Sequence, residues 1–308
     1  MKALRKCLLC LLVIGLILMP VSTAFALEES GIEIRYAHGV CTFDFYKLAD
    51  FSKTEGFIPA APFDRYTDTI PLLVGMAGMT TEETRLLATT MEAVVLRDGI
   101  TPSHTAATNE DGALALTDLQ QGMYLVLGTS TTDGEYRYTP SPILVSVPTR
   151  DIHDVWQYYV ILEHNKVVKE NLDQPTTHRE VIKIWQDDGN ESSRPAAITV
   201  QLLQDGNVYD TVQLSDDNNW MYRWTELPAA HTYTAVEVEV SEPYTMSVER
   251  DRTAIYVTNT YNGPPPPPPP DLPQTGQLWW PVPLMVALGL CSLLLSACYR
   301  RRDEEGRV

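Results

Sequence analysis

Glu180-Val181-Ile182-Lys183-Ile184-Trp185 followed by Asp187-Asp188-Gly189-Asn190 is an alternating, β-branched and aromatic run that ends in turn chemistry. Such a stretch is a half-buried strand closed by a turn. Four further runs of this kind follow, at 198–203, 219–224, 231–240 and 254–259. They are separated by Asp205-Gly206, Leu227-Pro228 and Glu242-Pro243, dipeptides that favour turns. Short strands at such regular spacing predict a β-sandwich over residues 179–262.

Towards the N-terminus, residues 169–178 are polar and contain Pro175, the composition of a linker. Residues 27–168 read as a mainly β domain with one helical insertion. Val40 to Leu48 alternates like a half-buried strand, and further strands are expected over 113–119, 123–127, 143–148 and 156–163. Thr80-Thr81-Glu82-Glu83 is a capping-box pattern followed by Leu86, Leu87, Met91, Val94 and Val95 at helical spacing, which predicts a helix near 80–97. At the N-terminus, Lys2, Arg5 and Lys6 precede an apolar core and an Ala24-Phe25-Ala26 site, so residues 1–26 read as a secretory signal peptide.

Towards the C-terminus, residues 263–271 hold seven consecutive prolines. In the polyproline II conformation such a run is a stiff spacer that projects roughly 20 Å, at about 3.1 Å per residue. Leu272-Pro273-Gln274-Thr275-Gly276 comes next, then an apolar run over 277–299 long enough to cross a bilayer, and a tail, 300–308, that opens with Arg300, Arg301 and Arg302.

Composition excludes several functions. The 308 residues carry a formal net charge of −17. The leader takes away three positive charges, and residues from Gly276 onward take away four positive and three negative, leaving −21 on the mature chain. A surface of that sign repels nucleic acid. Of five cysteines only Cys41 falls outside leader and anchor, so the exported body has no internal disulfide, and the thiol reads as a small buried hydrophobe. His38, His104, His153, His164, His178 and His231 are scattered without metal-ligand spacing, and neither a nucleophile elbow nor a phosphate loop is present. The sequence offers no cofactor motif, no metal site and no catalytic constellation, and the protein is not expected to be an enzyme.

Three resemblances sharpen this reading. Leu-Pro-x-Thr-Gly with an apolar span and a basic tail resembles the sorting signal recognised by sortases of Gram-positive bacteria. It implies that a sortase cysteine attacks the Thr275 carbonyl, releases Gly276 onward and passes the acyl group to an amine of the peptidoglycan precursor. The protein is then that enzyme's substrate, and its membrane contact is confined to the anchor before sorting. The order of the Phe-Tyr-Lys strand, the helix, Asp111-Gly112, Gly122-Met-Tyr-Leu-Val and Pro142-Ile-Leu-Val-Ser-Val-Pro148 resembles the N-terminal domain of Gram-positive pilins. Finally Val181-x-Lys183-x-Trp185-x-Asp187, Arg194-Pro195, Asn219-Trp220-x-Tyr222, Leu227-Pro228 and Thr258-Asn259-Thr260 look like the collagen-adhesin B-type (Cna B) repeat, a stalk unit in that family. Together they imply a mainly β fold: two immunoglobulin-like, Cna B-type sandwiches in tandem, the first with a helical insertion, between an N-terminal signal and a C-terminal transmembrane helix.

By position in the Cna B-like pattern, Lys183, Glu237 and Asn259 match the residues of a spontaneous Lys–Asn isopeptide bond. Such chemistry needs the three buried together, so that the amine is neutral and a protonated carboxyl can polarise the amide. Strand parity places Lys183 beside Val181 and Trp185, and Asn259 beside Ile255 and Val257, all compatible with an inward face. Glu237 shares its face with Glu239 while Val236, Val238 and Val240 take the other, so periodicity alone puts Glu237 in water. In the first domain Lys47 occupies a comparable strand position with Asn165 near the end, but Gly128 stands where the pattern wants an acid, and no equivalent bond is expected.

The expected function is a cell-wall surface protein acting as a structural stalk or pilin-like subunit, with sortase and either the wall precursor or another pilin subunit as partners. Where pilins carry Tyr-Pro-Lys, this chain has Leu162-Glu163-His164-Asn165-Lys166. Lys166 is the one candidate acceptor amine, and the missing Tyr and Pro point to a minor or basal subunit rather than a backbone one. The alternative is an adhesin that binds a host or glycan ligand through its N-terminal domain.

Overall fold

The computed structural model describes residues 30–164, 166–264 and 281–305. The signal 1–26, the pentapeptide 272–276, nearly all of 263–271, Asn165 and residues 306–308 lie outside the described residues. The chain is mainly β and folds as two compact units, 1–263 and 264–308.

The first unit opens with β1 (Gly31–Arg35), β2 (Thr42–Ser52) and β3 (Gly56–Pro59), then α1 (Thr81–Arg97). After the helix come β4 (His104–Ala107), β5 (Ala113–Thr117), β6 (Gly122–Gly128), β7 (Thr131–Asp133), β8 (Tyr136–Pro140) and β9 (Ile143–Val147). Short β10 (Thr149–Arg150) and β11 (Trp156–Gln157) precede β12 (Tyr159–Glu163) and β13 (Val167–Asn171). Then follow β14 (Thr176–Gln186), β15 (Ala197–Gln204), β16 (Asn207–Ser215), β17 (Met221–Pro228), β18 (Tyr233–Glu237), β19 (Tyr244–Asp251) and β20 (Ala254–Tyr261).

In the N-terminal half the β12-β1-β5 sheet faces the β3-β2-β6-β9 sheet, and Ile32, Ile34, Phe43, Phe45, Tyr124 and Val126 fill the space between. The opposite face of β2 and β6, carrying Tyr46, Leu48, Met123 and Leu125, packs on Leu87, Met91 and Val94 of α1. Strand β2 is therefore covered on both faces, helped by a bulge between Lys47 and Ala49, and its burial departs from the half-buried alternation expected of it. The helix begins with the expected capping box, in which each partner's side chain satisfies the other's backbone donor. The Glu83 N–H donates to Thr80 Oγ1 at 3.2 Å and the Thr80 N–H donates to Glu83 Oε2 at 2.8 Å.

The C-terminal half is a sandwich of β17-β14-β20-β19 against β16-β15-β18. Strands β16 and β19 are not among the expected runs. The first is an exposed edge whose polar positions dilute the pattern, although Val208, Val212 and Leu214 do alternate; the second follows Pro243 too closely to stand out as a separate run. The stretch 169–178, expected as a linker, is largely strand, because residues up to Asn171 pair with Tyr136–Pro140 and β14 already starts at Thr176.

The two halves share a continuous core. Helix α1 lies along the open edge of β19, where unpaired N–H groups would otherwise invite aggregation. The Val248 N–H donates to Thr90 Oγ1 (2.9 Å) and the Met246 N–H to the Thr69 carbonyl (2.8 Å). Arg250 pairs with Glu92, and Arg85 with Glu249 (2.6 Å), along the same edge.

The second unit holds helix α2 (Pro281–Glu305). Its segment Pro281–Arg300 has 20 residues of mean hydropathy 2.0, with no part buried in protein. That is long and apolar enough to cross a membrane.

Candidate functional site

Strands β14 and β20, the first and last of the C-terminal sandwich, are parallel neighbours, with Lys183 opposite Val257 and Trp185 opposite Asn259. The inward alternation read from the sequence holds for both, because side chains two apart on a strand share a face. Lys183 and Asn259 project into the space between the sheets, 5% and 1% exposed. Glu237 reaches them from β18 in the facing sheet and is fully buried. Lys183 Nζ donates to Glu237 Oε2 at 3.0 Å and Asn259 Nδ2 donates to Glu237 Oε1 at 3.2 Å, so one carboxyl bridges the amine and the amide.

The periodicity that puts Glu237 in water is corrected here. All five residues of β18 are buried. Tyr233, Ala235 and Glu237 face the sandwich, and Val236 on the other face is covered by the first half of the chain, with Arg97 of α1 donating to the Glu237 carbonyl at 2.8 Å. Val236, which periodicity assigns to the inner face, is buried against the insertion, and no pattern within β18 can reveal that.

Burial pushes the Lys183 amine down from the ordinary lysine value to about 8, against the opposing pull of the Glu237 charge. The Trp185 ring lies 4.6 Å from Nζ and is itself crossed edge-on by Trp220 and Tyr244. Asp187 receives Arg194 through both oxygens at 2.6 Å and the Tyr244 hydroxyl at 3.1 Å, which ties the turn after β14 over this aromatic lid. Trp185 and Asp187 belong to the sequence pattern; their role in excluding water from the lysine does not follow from it.

Asn259 Oδ1 is buried without a protein partner. Transfer of a proton along the Lys183–Glu237 hydrogen bond would leave a neutral amine and an acid that can donate to that oxygen once the amide turns over, and so polarise the carbonyl carbon. The arrangement can join Nζ to Asn259 Cγ, break the Cγ–Nδ2 bond and release ammonia, with Glu237 carrying the proton from the amine to the leaving nitrogen.

The remaining candidate residues lie apart. Lys166 is exposed, and its carbonyl accepts from the Ser141 N–H (3.0 Å). Lys47 pairs with Asp50 (2.5 Å) and Gln120 (2.8 Å). Leu272, Pro273, Gln274, Thr275 and Gly276 are outside the described residues.

Residues 179–260 match the family described as Cna protein B-type domain. Among curated proteins, the collagen adhesin of Staphylococcus aureus is 29% identical over 98 residues, 32% of this chain; the chain spans 8% of that relative's length. Among solved structures, a single B repeat unit of the collagen-binding surface protein of Staphylococcus aureus aligns over 76% of this chain and 98% of its own, at 16% identity and a TM-score of 0.28. A streptococcal ancillary pilin aligns over 78% and 64%, at 11% identity and a TM-score of 0.23. The full-length major pilin SpaD of Corynebacterium diphtheriae does so over 76% and 98%, at 10% identity and a TM-score of 0.25. Superpositions this loose add nothing to the assignment; the match along the sequence, together with two facing sheets whose first and last strands run parallel, gives residues 179–260 a Cna B-type fold.

Proposed function

We propose that the protein is a secreted, sortase-anchored surface protein of a Gram-positive cell wall, a stalk or minor pilin-like subunit braced by an isopeptide bond between Lys183 and Asn259. The single observation that carries this reading is the buried Lys183–Glu237–Asn259 cluster bridging the first and last strands of the sandwich. A chain tethered at its C-terminus and pulled at its N-terminal side loads β14 and β20 in shear, because parallel neighbours are drawn along each other's length. A covalent link between them carries that load in place of the ladder. No disulfide can do so, since Cys41 is the one cysteine between leader and anchor.

The apolar helix after the prolines supports the anchor, and in the sequence Leu272 to Gly276 precedes it by a few residues, the order that a membrane-bound sortase requires. The partners are then sortase, the peptidoglycan precursor and, if Lys166 accepts an acyl group, another subunit. The test is expression of the full chain in a Gram-positive host with an active sortase. Enzymatically released wall fragments should carry the protein as one short species lacking one ammonia, with Lys183→Ala restoring the full mass. Thr275→Ala should leave the protein in the membrane fraction. An unshifted mass overturns the bond, and a wall-linked Thr275→Ala chain overturns the anchoring.

A further inference from the structure

Strand β18 is the edge of its sheet: it pairs with β15 on one side, and among the described residues no strand pairs with the other. Glu237 is its last residue, and its carboxyl bridges the Lys183 amine and the Asn259 amide. The ladder runs out here. Glu237 lies opposite Val200 in a pair that exchanges no backbone hydrogen bonds, since the flanking bond runs from the Val238 N–H to the Thr199 carbonyl at 2.9 Å. The Glu237 carbonyl is thus turned to the open edge, and the residue is fully buried. A buried carbonyl in that position needs a donor from outside the sheet.

Arg97 supplies it. This residue lies in the last turn of α1, in the other half of the chain, and its Nη1 donates to the Glu237 carbonyl at 2.8 Å and to the Val238 carbonyl at 3.3 Å. The guanidinium is held from behind: Nε and Nη2 donate to the two carboxylate oxygens of Asp98 at 2.7 and 2.9 Å, a two-pronged pairing that fixes its plane. Asp98 in turn accepts from the Tyr66 hydroxyl and lies 3.5 Å from Arg65. The Arg97 side chain is only 13% exposed, so it is a fixed donor rather than a swinging one. Placement matters at this cluster, because a displacement of about 1 Å in a reacting group costs about 10² in rate.

We propose that Arg97 is a positioning residue for the Lys183–Asn259 cross-link, holding the end of β18 so that the Glu237 carboxyl bridges amine and amide. The reaction is the one given above: Nζ joins Asn259 Cγ, the Cγ–Nδ2 bond breaks and ammonia leaves. The proposal rests on the reading of this cluster as a bond-forming site, and adds that the B-type half cross-links fast only once α1 has docked on it.

The experiment follows intact mass at intervals after cell-free synthesis of the full chain in detergent, for the parent, Arg97→Ala and Thr90→Val. Arg97→Ala should lose ammonia at least about tenfold more slowly than the parent. Thr90→Val loosens the same helix at β19 without touching β18, and should react at the parent's rate. A second measurement does not depend on the bond. In an Asn259→Ala background, where this cross-link cannot form, Glu237→Gln should lower the melting temperature less when Arg97 is already Ala than when it is Arg, because the contact with Lys183 is then already loosened. Ammonia loss from Arg97→Ala at the parent's rate, equal slowing in Thr90→Val, or additive melting shifts each overturns the proposal. A parent chain that keeps its full mass fails the bond itself; it is told apart because every variant then keeps its mass too, while the melting shifts still show whether Arg97 positions Glu237.

Discussion

Replacing Glu237 by Gln keeps the shape of the buried cluster and removes its one mobile proton. In the parent, the two carboxylate oxygens accept separately from Lys183 Nζ (3.0 Å) and Asn259 Nδ2 (3.2 Å). A glutamine has one acceptor oxygen, so one donor now meets an N–H, and nothing remains to carry a proton from the amine to the leaving nitrogen. Positioned acid–base groups contribute about 10²–10⁴ to rate, and ammonia loss should slow by at least about a hundredfold. Stability should fall as well, because neither Lys183 nor Glu237 has exposed side-chain surface. Removing one partner of a buried pair costs about 3–5 kcal/mol, part of which the lysine escapes by releasing its proton. At about 2–4 °C per kcal/mol for a folded unit of this size, the unlinked variant should melt about 5–15 °C below an unlinked Asn259→Ala control that keeps the ion pair. Intact-mass measurements at intervals after refolding, with calorimetry on the same samples, read both effects. Ammonia loss from Glu237→Gln at the parent's rate, or equal melting of the two variants, would refute the role given to the carboxyl.

Other consequences follow from the same contacts. Because the reaction needs the one proton that Lys183 and Glu237 share, and burial holds the Lys183 amine at about 8, ammonia loss from freshly refolded protein should slow as pH rises through about 8; a rate that keeps rising from about pH 8 to 9 contradicts a proton carried by Glu237. In Asn259→Ala the folded lysine binds its proton less tightly than the unfolded one, so stability should rise from about pH 8 towards the free lysine value, and chemical denaturation across that range checks the sign. Thr90→Val leaves the Val248 N–H buried without an acceptor. It should cost about 1–3 kcal/mol in thermal unfolding without slowing bond formation. Thr80→Ala removes the helix cap, and by the same measurement should cost about 1 kcal/mol.

Local rules carried far along this chain. The capping box at Thr80 and Glu83 located α1 to within a residue, and the alternation of Val181, Lys183 and Trp185 gave both the strand and its inward face, because strand and helix periods are fixed by backbone geometry. Positional likeness to a B-type repeat then picked out Lys183, Glu237 and Asn259, which the fold brings within hydrogen-bonding distance around one carboxyl.

What the sequence by itself determined is the mainly β class, the insertion helix, the B-type sandwich and the apolar C-terminal helix, all of them matters of short-range pattern. Tertiary structure decided the rest. Glu237 can take the inter-sheet face because Val236, which periodicity sends inward, is buried on the other face of β18 against the insertion helix, some 140 positions earlier in the chain. The edge of β19 is closed by Thr69 and Thr90. Each of these depends on surfaces distant in sequence meeting in space, and a periodicity within one strand holds no record of what comes to lie against it.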